Sequence, residues 1–181
     1  MTSLGGTSGQ IHLVQGEHAV SGDGKVALTT ILGSCVAACM RDPHAGVGGM
    51  NHFLLPGALE GDDDGIERGV HAMELLINAL LQAGARRDRL EAKLFGGARM
   101  MKNLSDIGAQ NASFAIDFLK QERIANQGGS LGGDQARRIR YWPVSGRAQQ
   151  RILGQSEQQV FARELSIAAK PTRPADDVEF F

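Results

Sequence analysis

The amino-acid sequence predicts an α+β fold within a single domain. Segments typical of β-strands occur towards both ends of the chain, and two segments with helical periodicity lie between them. This order differs from the strict βαβ alternation that is typical of doubly wound parallel sheets. The length of 181 residues suits one domain. We expect that domain to comprise residues 10–155, with flexible tails at 1–9 and 156–181.

Four strands are expected in the N-terminal part of the chain. Loosely alternating apolar residues predict a short strand within 11–20, and an apolar, β-branched run predicts another over 26–32. Two more are expected at 35–40 and 47–55. The sequence Asp42–Gly46 predicts a tight turn between these two, because proline presets φ and glycine tolerates positive φ.

Two helices are expected in the middle of the chain. Apolar residues recur at helical spacing over 66–83, and Gly84 then supplies a typical helix end. The same spacing recurs over 107–123. A short strand at 90–95 lies between the helices and ends at the pair Gly96-Gly97, which predicts a tight turn.

The C-terminal part predicts a loop followed by a β-hairpin. Residues 128–133 are rich in glycine and are typical of a loop. Strands at 138–142 and 149–153 flank the turn-forming sequence 143–146, which indicates the hairpin. The chain then becomes polar, and its apolar end, Val178–Phe181, either folds back onto the domain or serves as a docking motif.

Composition excludes several classes of protein. Hydrophobic residues make up 42% and charged residues 22% of the chain, as in globular proteins. A formal net charge of -1 gives no strong field for nucleic acid or anionic lipid, and 5% aromatic residues argue against a base-stacking surface. The N-terminus lacks a signal-peptide pattern, and no apolar run approaches the roughly 18 residues that cross a bilayer. We therefore expect a cytoplasmic protein that binds no nucleic acid and is not inserted in a membrane.

The two cysteines, Cys35 and Cys39, lie four residues apart in an apolar run. There is no third cysteine to form a disulfide framework, so a reducing compartment is expected. A thiol attacks carbonyl carbons as the thiolate, and a neighbouring imidazole promotes its formation. A histidine within reach of either thiol would therefore indicate a nucleophilic site.

The predicted hairpin places one histidine near Cys35. If its loop consists of Pro43 and His44 alone, Cys35 and His52 lie directly opposite each other, with Cβ atoms about 4.5–5.5 Å apart. A bulge at Gly46 would shift the register by one residue and change the face on which each side chain lies.

Each of these residues also has a structural interpretation. Cysteine is often buried as a small hydrophobic residue, and His52 could be a hydrogen-bonded core histidine. The preceding Gly33-Ser34 favours the catalytic interpretation of Cys35, because nearby N–H groups can stabilise an oxyanion. The other histidines lack the spacing of metal ligands, so we predict no metal site; they are His12, His18, His44 and His71.

Three sequence blocks carry a family resemblance. Leu32-Gly33-Ser34-Cys35-Val36 is followed by Asp42-Pro43 and then by Gly48-Gly49-Met50-Asn51-His52-Phe53-Leu54-Leu55-Pro56. Two shorter pieces follow, Ala92–Ala98 and Leu131-Gly132-Gly133 with Arg137-Arg138. Together they resemble the chemoreceptor glutamine deamidase family, CheD, over roughly residues 10–155.

This resemblance implies a reaction and the residues that perform it. Cys35 would attack the carboxamide carbon of a receptor glutamine, and His52 would act as its base. Water would then hydrolyse the thioester, leaving glutamate, and no cofactor is needed. The third catalytic position in the family is a threonine six residues before the cysteine, here Thr29, which would orient the imidazole. The adjacent Thr30 takes that role if the alignment is displaced by one residue.

The resemblance also implies a fold and partners. The fold is a single-domain layered α/β/β sandwich with mixed or antiparallel sheets and helices on one side, similar to the catalytic domain of cytotoxic necrotizing factor toxins. The substrate would be the cytoplasmic helices of chemoreceptors, and a CheC-type phosphatase is a further partner. Two alternatives remain, which are another thioester-forming enzyme and a non-catalytic chemotaxis adaptor.

Overall fold

The computed structural model describes residues 9–55, 63–102 and 106–159. In these segments the strands are β1 (Gln10–His12), β2 (His18–Ser21), β3 (Ala27–Leu32), β4 (Val36–Asp42), β5 (Val47–Asn51), β6 (Glu91–Gly96), β7 (Ala125–Leu131), β8 (Arg137–Tyr141) and β9 (Ala148–Ile152). The helices are α1 (Asp63–Gln82), α2 (Ile107–Gln121) and a single 3-10 turn at Arg87–Arg89. Residues 155–159 are also helical.

The strands form two sheets. One sheet has the order β2-β5-β4-β6-β7 and the other has the order β1-β3-β8-β9. Both are mixed, because β7 runs parallel to β6 and β1 runs parallel to β3, while the other neighbours are antiparallel. Helix α2 provides the crossover that the parallel pair β6–β7 requires.

The buried side chains form two separate clusters. The first joins both helices to the five-stranded sheet, and the second fills the space between the two sheets. The chain therefore stacks helices, the five-stranded sheet and the four-stranded sheet in three layers. The predicted α+β class is confirmed, and the similarity to the toxin catalytic domain stays a prediction.

Strand β4 contributes to both clusters. Val36, Ala38 and Met40 pack towards the helices, whereas Ala37 and Cys39 pack towards the other sheet. Successive side chains of a strand lie on opposite faces, so a strand buried on both faces is apolar throughout. Cys35, directly before β4, belongs to the cluster between the sheets. This placement puts its thiol in the layer where the two sheets meet.

The hairpin β4–β5 has a longer loop than we predicted. Asp42 pairs with Val47, so the loop has four residues instead of two. The Asp42 carboxylate accepts hydrogen bonds from the N–H groups of His44 at 2.9 Å and Ala45 at 3.0 Å, and Gly46 has a φ of 68°. These bonds stabilise the longer loop and shift the register by two residues.

The prediction of a loop at 128–133 was wrong, because this segment contains most of β7. Gly128 and Gly129 have φ values of 100° and 124°, and the β6–β7 register shifts between Ala92 and Leu94. A side chain at Gly129 would meet the backbone of Leu94. The glycines therefore belong to a bulged edge strand, although their sequence is typical of a loop.

Other expectations agree with the structure or lie outside its described part. The predicted helices, the strand at 26–32 and the C-terminal hairpin are confirmed, while the segment 11–20 contains parts of two strands, β1 and β2. The docking segment Val178–Phe181 lies outside the described residues, and the limits of the domain stay a prediction. No helix in the described residues has the length and apolar character needed to cross a membrane.

Replacing Asp42 by Asn is expected to lower the free energy of unfolding by about 3 kcal/mol. Asp42 is 0% exposed and also accepts hydrogen bonds from the backbone of Arg86 and from Nε of Arg89, both at 2.9 Å. Burial by itself would raise the pKa of Asp42, but these N–H donors hold it well below its usual range. An amide would leave Arg89 without its counter-charge. Urea denaturation of both proteins measures the difference.

Asp88→Asn is the matched control. Asp88 also contacts Arg86, at 2.9 Å, but both side chains are more than half exposed. An exposed ion pair contributes little, so this variant should change stability by less than about 0.5 kcal/mol. Equal losses in the two variants would contradict the role assigned to Asp42.

Candidate active site

His52 is held by its backbone and by its side chain. Its N–H donates to the carbonyl of Glu17 at 3.0 Å, and its carbonyl accepts from the N–H of Gly16 at 2.7 Å. Its Nδ1 lies 2.7 Å from the hydroxyl oxygen of Thr30 in β3. The Thr30 contact joins the two sheets, so the orientation of the imidazole depends on how the sheets stack.

The hydroxyl of Thr30 determines which nitrogen of His52 carries the proton. This oxygen also lies 2.8 Å from the backbone carbonyl of Leu13. A hydroxyl has one proton to donate and a carbonyl can only accept, so Thr30 donates to Leu13 and accepts from His52. Nδ1 is then protonated, and the lone pair of the neutral imidazole is on Nε2. Within the described residues, Nε2 has no hydrogen-bond partner.

The imidazole is neutral at neutral pH. Burial lowers the pKa of His52 to about 4, and the charge of nearby His12 lowers it further, while Glu17 opposes the shift. His52 is only 6% exposed. A neutral imidazole with an unpaired Nε2 is the form that can accept a proton.

Cys35 lies on the same face of the hairpin as His52. A two-residue loop would have placed the two residues directly opposite each other, but the observed register differs from that one by two residues. Cys39 pairs with Met50, and Val36 bridges to Phe53 in the same register, so Cys35 and His52 are diagonal neighbours. A shift by an even number of residues keeps each side chain on its face. Both side chains therefore point towards the four-stranded sheet.

The thiol of Cys35 is almost completely buried. It is 4% exposed, and burial raises its pKa to about 12, although its own backbone N–H acts in the opposite direction. The thiol donates to Oε1 of Gln15 across 3.8 Å. The resting site therefore combines a neutral thiol with a neutral imidazole, and a proton must move between them for the sulfur to become a nucleophile.

The loop before β4 is fixed through its carbonyl groups. The carbonyls of Gly33 and Cys35 accept from the N–H groups of Ala98 and Gly97 at 2.9 and 2.8 Å. The carbonyl of Ser34 accepts from the side chain of Asn111 at 2.8 Å. In a trans peptide the N–H points away from the adjoining carbonyl. The N–H groups of Ser34 and Cys35 therefore point away from β6 and α2.

The glycine pair at the end of β6 permits this close contact. Gly96 and Gly97 have φ values of 108° and 67°, which favour glycine. A side chain at Gly96 would meet the carbonyl of Cys35. The predicted tight turn therefore also supports the loop that contains Cys35.

Asn111 is a site residue that we did not predict from the sequence. It is 0% exposed, its Nδ2 donates to Ser34, and its Oδ1 accepts from the N–H of Leu55 at 2.9 Å. One side chain of α2 thus ties the loop before Cys35 to the segment after His52. A polar residue on the apolar face of the predicted helix was the signal available in the sequence.

The structure places Thr30, and not Thr29, against the imidazole. Leu28 and Leu32 of β3 pack between the sheets, and Thr30 lies on the same face because side chains alternate. Thr29 points to the opposite face. Its hydroxyl is buried, and among the described residues it has no hydrogen-bond partner. The contact with the imidazole that we expected of Thr29 is therefore made by Thr30.

No metal-binding cluster occurs in the described part of the chain. No three side chains of histidine, cysteine, aspartate or glutamate lie together there in an arrangement that could hold a metal ion. Cys39 lies four residues after Cys35, within β4, and is also buried. Burial raises the pKa of this second thiol, although the charge of Lys93 acts in the opposite direction.

Comparison with known proteins identifies related chains. The family model for CheD chemotactic sensory transduction matches residues 54–152. A protein of Rhizobium leguminosarum bv. trifolii, named "Probable chemoreceptor glutamine deamidase CheD", is 53% identical over 97% of this chain and 98% of its own length. A protein of the same name from Agrobacterium fabrum is 55% identical over 95% of this chain and 96% of its own length.

Comparison with solved structures gives a partial similarity in fold. A Neisseria meningitidis protein of the DUF152 family aligns with a TM-score of 0.48 and 12% sequence identity. The alignment covers 69% of this chain and 64% of that protein.

Replacing His52 by Gln is expected to weaken the pH dependence of stability between about pH 6.5 and 4. The pKa of His52 is about 4 in the folded protein, whereas a histidine in an unfolded chain titrates near about 6.5. The unfolded state binds more protons in this window. The free energy of unfolding therefore decreases as the pH is lowered from about 6.5 to about 4. The slope from this residue is at most about 1.4 kcal/mol per pH unit, and the variant should lose it.

His44→Gln serves as the control, because His44 is exposed in the β4–β5 loop. Urea denaturation at a series of pH values measures the slope for each protein. If wild type and His52→Gln had the same slope, the depressed pKa would be wrong.

Proposed function

Because this chain belongs to the CheD family of chemotactic sensory transduction proteins, we propose that it deamidates glutamine side chains of chemoreceptors. In this proposal Cys35 is the nucleophile, His52 is the base, and Thr30 positions the imidazole. The substrate is a glutamine on the cytoplasmic helices of a methyl-accepting receptor. The products are glutamate and ammonia, and no cofactor takes part.

The reaction has two halves. As Sγ of Cys35 attacks the carboxamide carbon, Nε2 of His52 takes the thiol proton. The tetrahedral intermediate then expels ammonia, which leaves with that proton, and a thioester remains. In the second half Nε2 takes a proton from water and the resulting hydroxide attacks the thioester carbon. The C–S bond then breaks, and Nε2 returns its proton to the sulfur, which restores the thiol. The N–H groups of Ser34 and Cys35 are the proposed donors to the oxyanion in both halves.

The hydrogen bond from Nδ1 of His52 to Thr30 is the single observation that carries this proposal. It supports a base whose lone pair is on Nε2, on the same face of the sheet as Cys35. A histidine buried only for packing would bond through both nitrogens, since an unmade bond to a buried polar atom costs about 1–3 kcal/mol.

The raised thiol pKa favours a second candidate, a non-catalytic adaptor that binds receptors or a CheC-type phosphatase. A thiol with a pKa of about 12 is almost entirely protonated at rest, as in a structural cysteine. Proton transfer to the neutral imidazole during attack accounts for the same observation, so we favour the enzyme. Another thioester-forming activity, such as a transglutaminase or peptidase, would use the same residues.

Replacing Cys35 by Ala is expected to abolish deamidation, with a loss of at least ~100-fold in rate, because no nucleophile remains. The assay incubates a receptor cytoplasmic fragment with each protein and measures conversion of glutamine to glutamate by mass spectrometry. Ammonia is measured in the same samples. Ammonia equal to the glutamate formed, without crosslinks or chain cleavage, distinguishes deamidation from the other thioester chemistries.

Cys39→Ala is the matched control, because Cys39 faces the same layer as Cys35 and is 1% exposed. It should retain deamidation at close to the wild-type rate. Conversion of glutamine by the Cys35→Ala protein at the wild-type rate would disprove the assignment of the nucleophile. Absence of conversion by wild type, with receptor binding intact, would favour the adaptor.

A further inference from the structure

The side chain of Gln15 is the group that contacts the thiol of Cys35 at rest. The thiol donates to Oε1 of Gln15 across 3.8 Å, whereas Nε2 of His52 has no partner in the described part of the chain. The side chain that accepts the hydrogen bond of the Cys35 thiol therefore ends in a primary carboxamide. That is the functional group which the proposed substrate would present.

The backbone that carries Gln15 is fixed relative to the site. Residues 13–17, which we name the strap, connect β1 to β2. At one end the carbonyl of Leu13 accepts from the Thr30 hydroxyl at 2.8 Å. At the other end Gly16 and Glu17 form backbone hydrogen bonds with His52 at 2.7 and 3.0 Å. The strap thus forms hydrogen bonds both with His52 and with Thr30, the residue that contacts the imidazole of His52.

The exposed side chain of Gln15 can change rotamer while the backbone of the strap stays in place. Gln15 is exposed, whereas Cys35 is 4% exposed and His52 is 6% exposed. A glutamine side chain reaches the thiol through several rotatable bonds, so rotation can remove its carboxamide without moving the strap. Among the described residues, the contact of this side chain at the site is a long sulfur hydrogen bond, which costs little to break.

We propose that Gln15 is an internal, non-reacting surrogate for the substrate, and that its carboxamide fills the subsite which the receptor glutamine must occupy. The inference rests on the proposed function, because it identifies where the substrate carboxamide binds. Entry of a substrate glutamine displaces Gln15. The thiol proton then loses its acceptor and turns to Nε2 of His52, so displacement and activation are one event.

Gln15→Ala should expose the thiol, and iodoacetamide is a suitable probe because it carries a primary carboxamide. In a Cys39→Ala background Cys35 is the single cysteine. Alkylation of native Cys35 should be at least ~5-fold faster with Gln15→Ala than without it, because the subsite is vacant. Val14→Ala, an exposed position on the same strap, should alkylate within about twofold of its parent.

Deamidation kinetics supply the second measurement. Gln15→Ala should lower KM for the receptor fragment with kcat unchanged, since it removes a competitor and leaves the reacting groups in place. Gln15→Asn shortens the side chain by one methylene and should fall between Ala and wild type in both assays.

Two results would overturn the inference. One is an unchanged alkylation rate and KM in Gln15→Ala. The other is the mass of glutamate at position 15 in wild type but not in Cys35→Ala, because Gln15 would then be a substrate of the thiol. Alkylation needs no deamidase activity, so a failure of the surrogate role remains distinguishable from a failure of the proposed function.

Discussion

The hydrogen bond between Thr30 and His52 crosses the layer in which the two sheets meet, and the candidate site depends on it. Its length of 2.7 Å requires that β3 and the end of β5 stack at a fixed distance and angle. The carbonyl of Leu13 completes the arrangement, because it takes the only proton that Thr30 can donate. Two sheets and one loop thereby define the tautomer of a single imidazole.

Cys35 is positioned from the other side by a separate set of contacts. Buried Arg137 bonds the carbonyls of Ser130 and Gly132, and the N–H of Gly132 donates to Gly96 at 2.9 Å. The N–H of the adjacent Gly97 donates a hydrogen bond to the carbonyl of Cys35. A side chain of the four-stranded sheet thus supports the loop that contains Cys35, through β7 and the turn at the end of β6. The imidazole and the thiol are therefore held by different elements that meet between the sheets.

Local patterns in the sequence predicted most of the helices and strands, because each has a characteristic spacing of apolar residues. They did not predict the register of the β4–β5 hairpin, because the Asp42 side chain sets the length of its loop. They also did not predict β7, because its glycines form a bulge and resemble a loop in sequence. Cys35 and His52 still lie on the same face of the sheet, because the observed register differs from the predicted one by two residues, an even number. Thr30 could not be chosen over Thr29 from the residues alone, because the decision depends on which face of β3 meets the other sheet.

Contacts between distant segments explain the other residues that sequence reasoning missed. Asn111 bonds Ser34, which lies 77 residues away along the chain, and Gln15 meets Cys35 from a loop between two short strands. No periodicity reports such a contact, because it exists only after the layers have packed. A buried polar residue on an otherwise apolar helix face was the one sign available for Asn111.

The nitrogen-15 NMR spectrum of the His52 imidazole tests the central claim most directly. At neutral pH we expect a neutral ring with the proton on Nδ1 and none on Nε2, with signals assigned by comparison with His52→Gln. Thr29→Val should leave this spectrum unchanged, and Thr30→Val should give a mixture of the two tautomers. A proton on Nε2 in the wild-type protein, or a charged ring at neutral pH, would contradict the proposed role of His52 as the base.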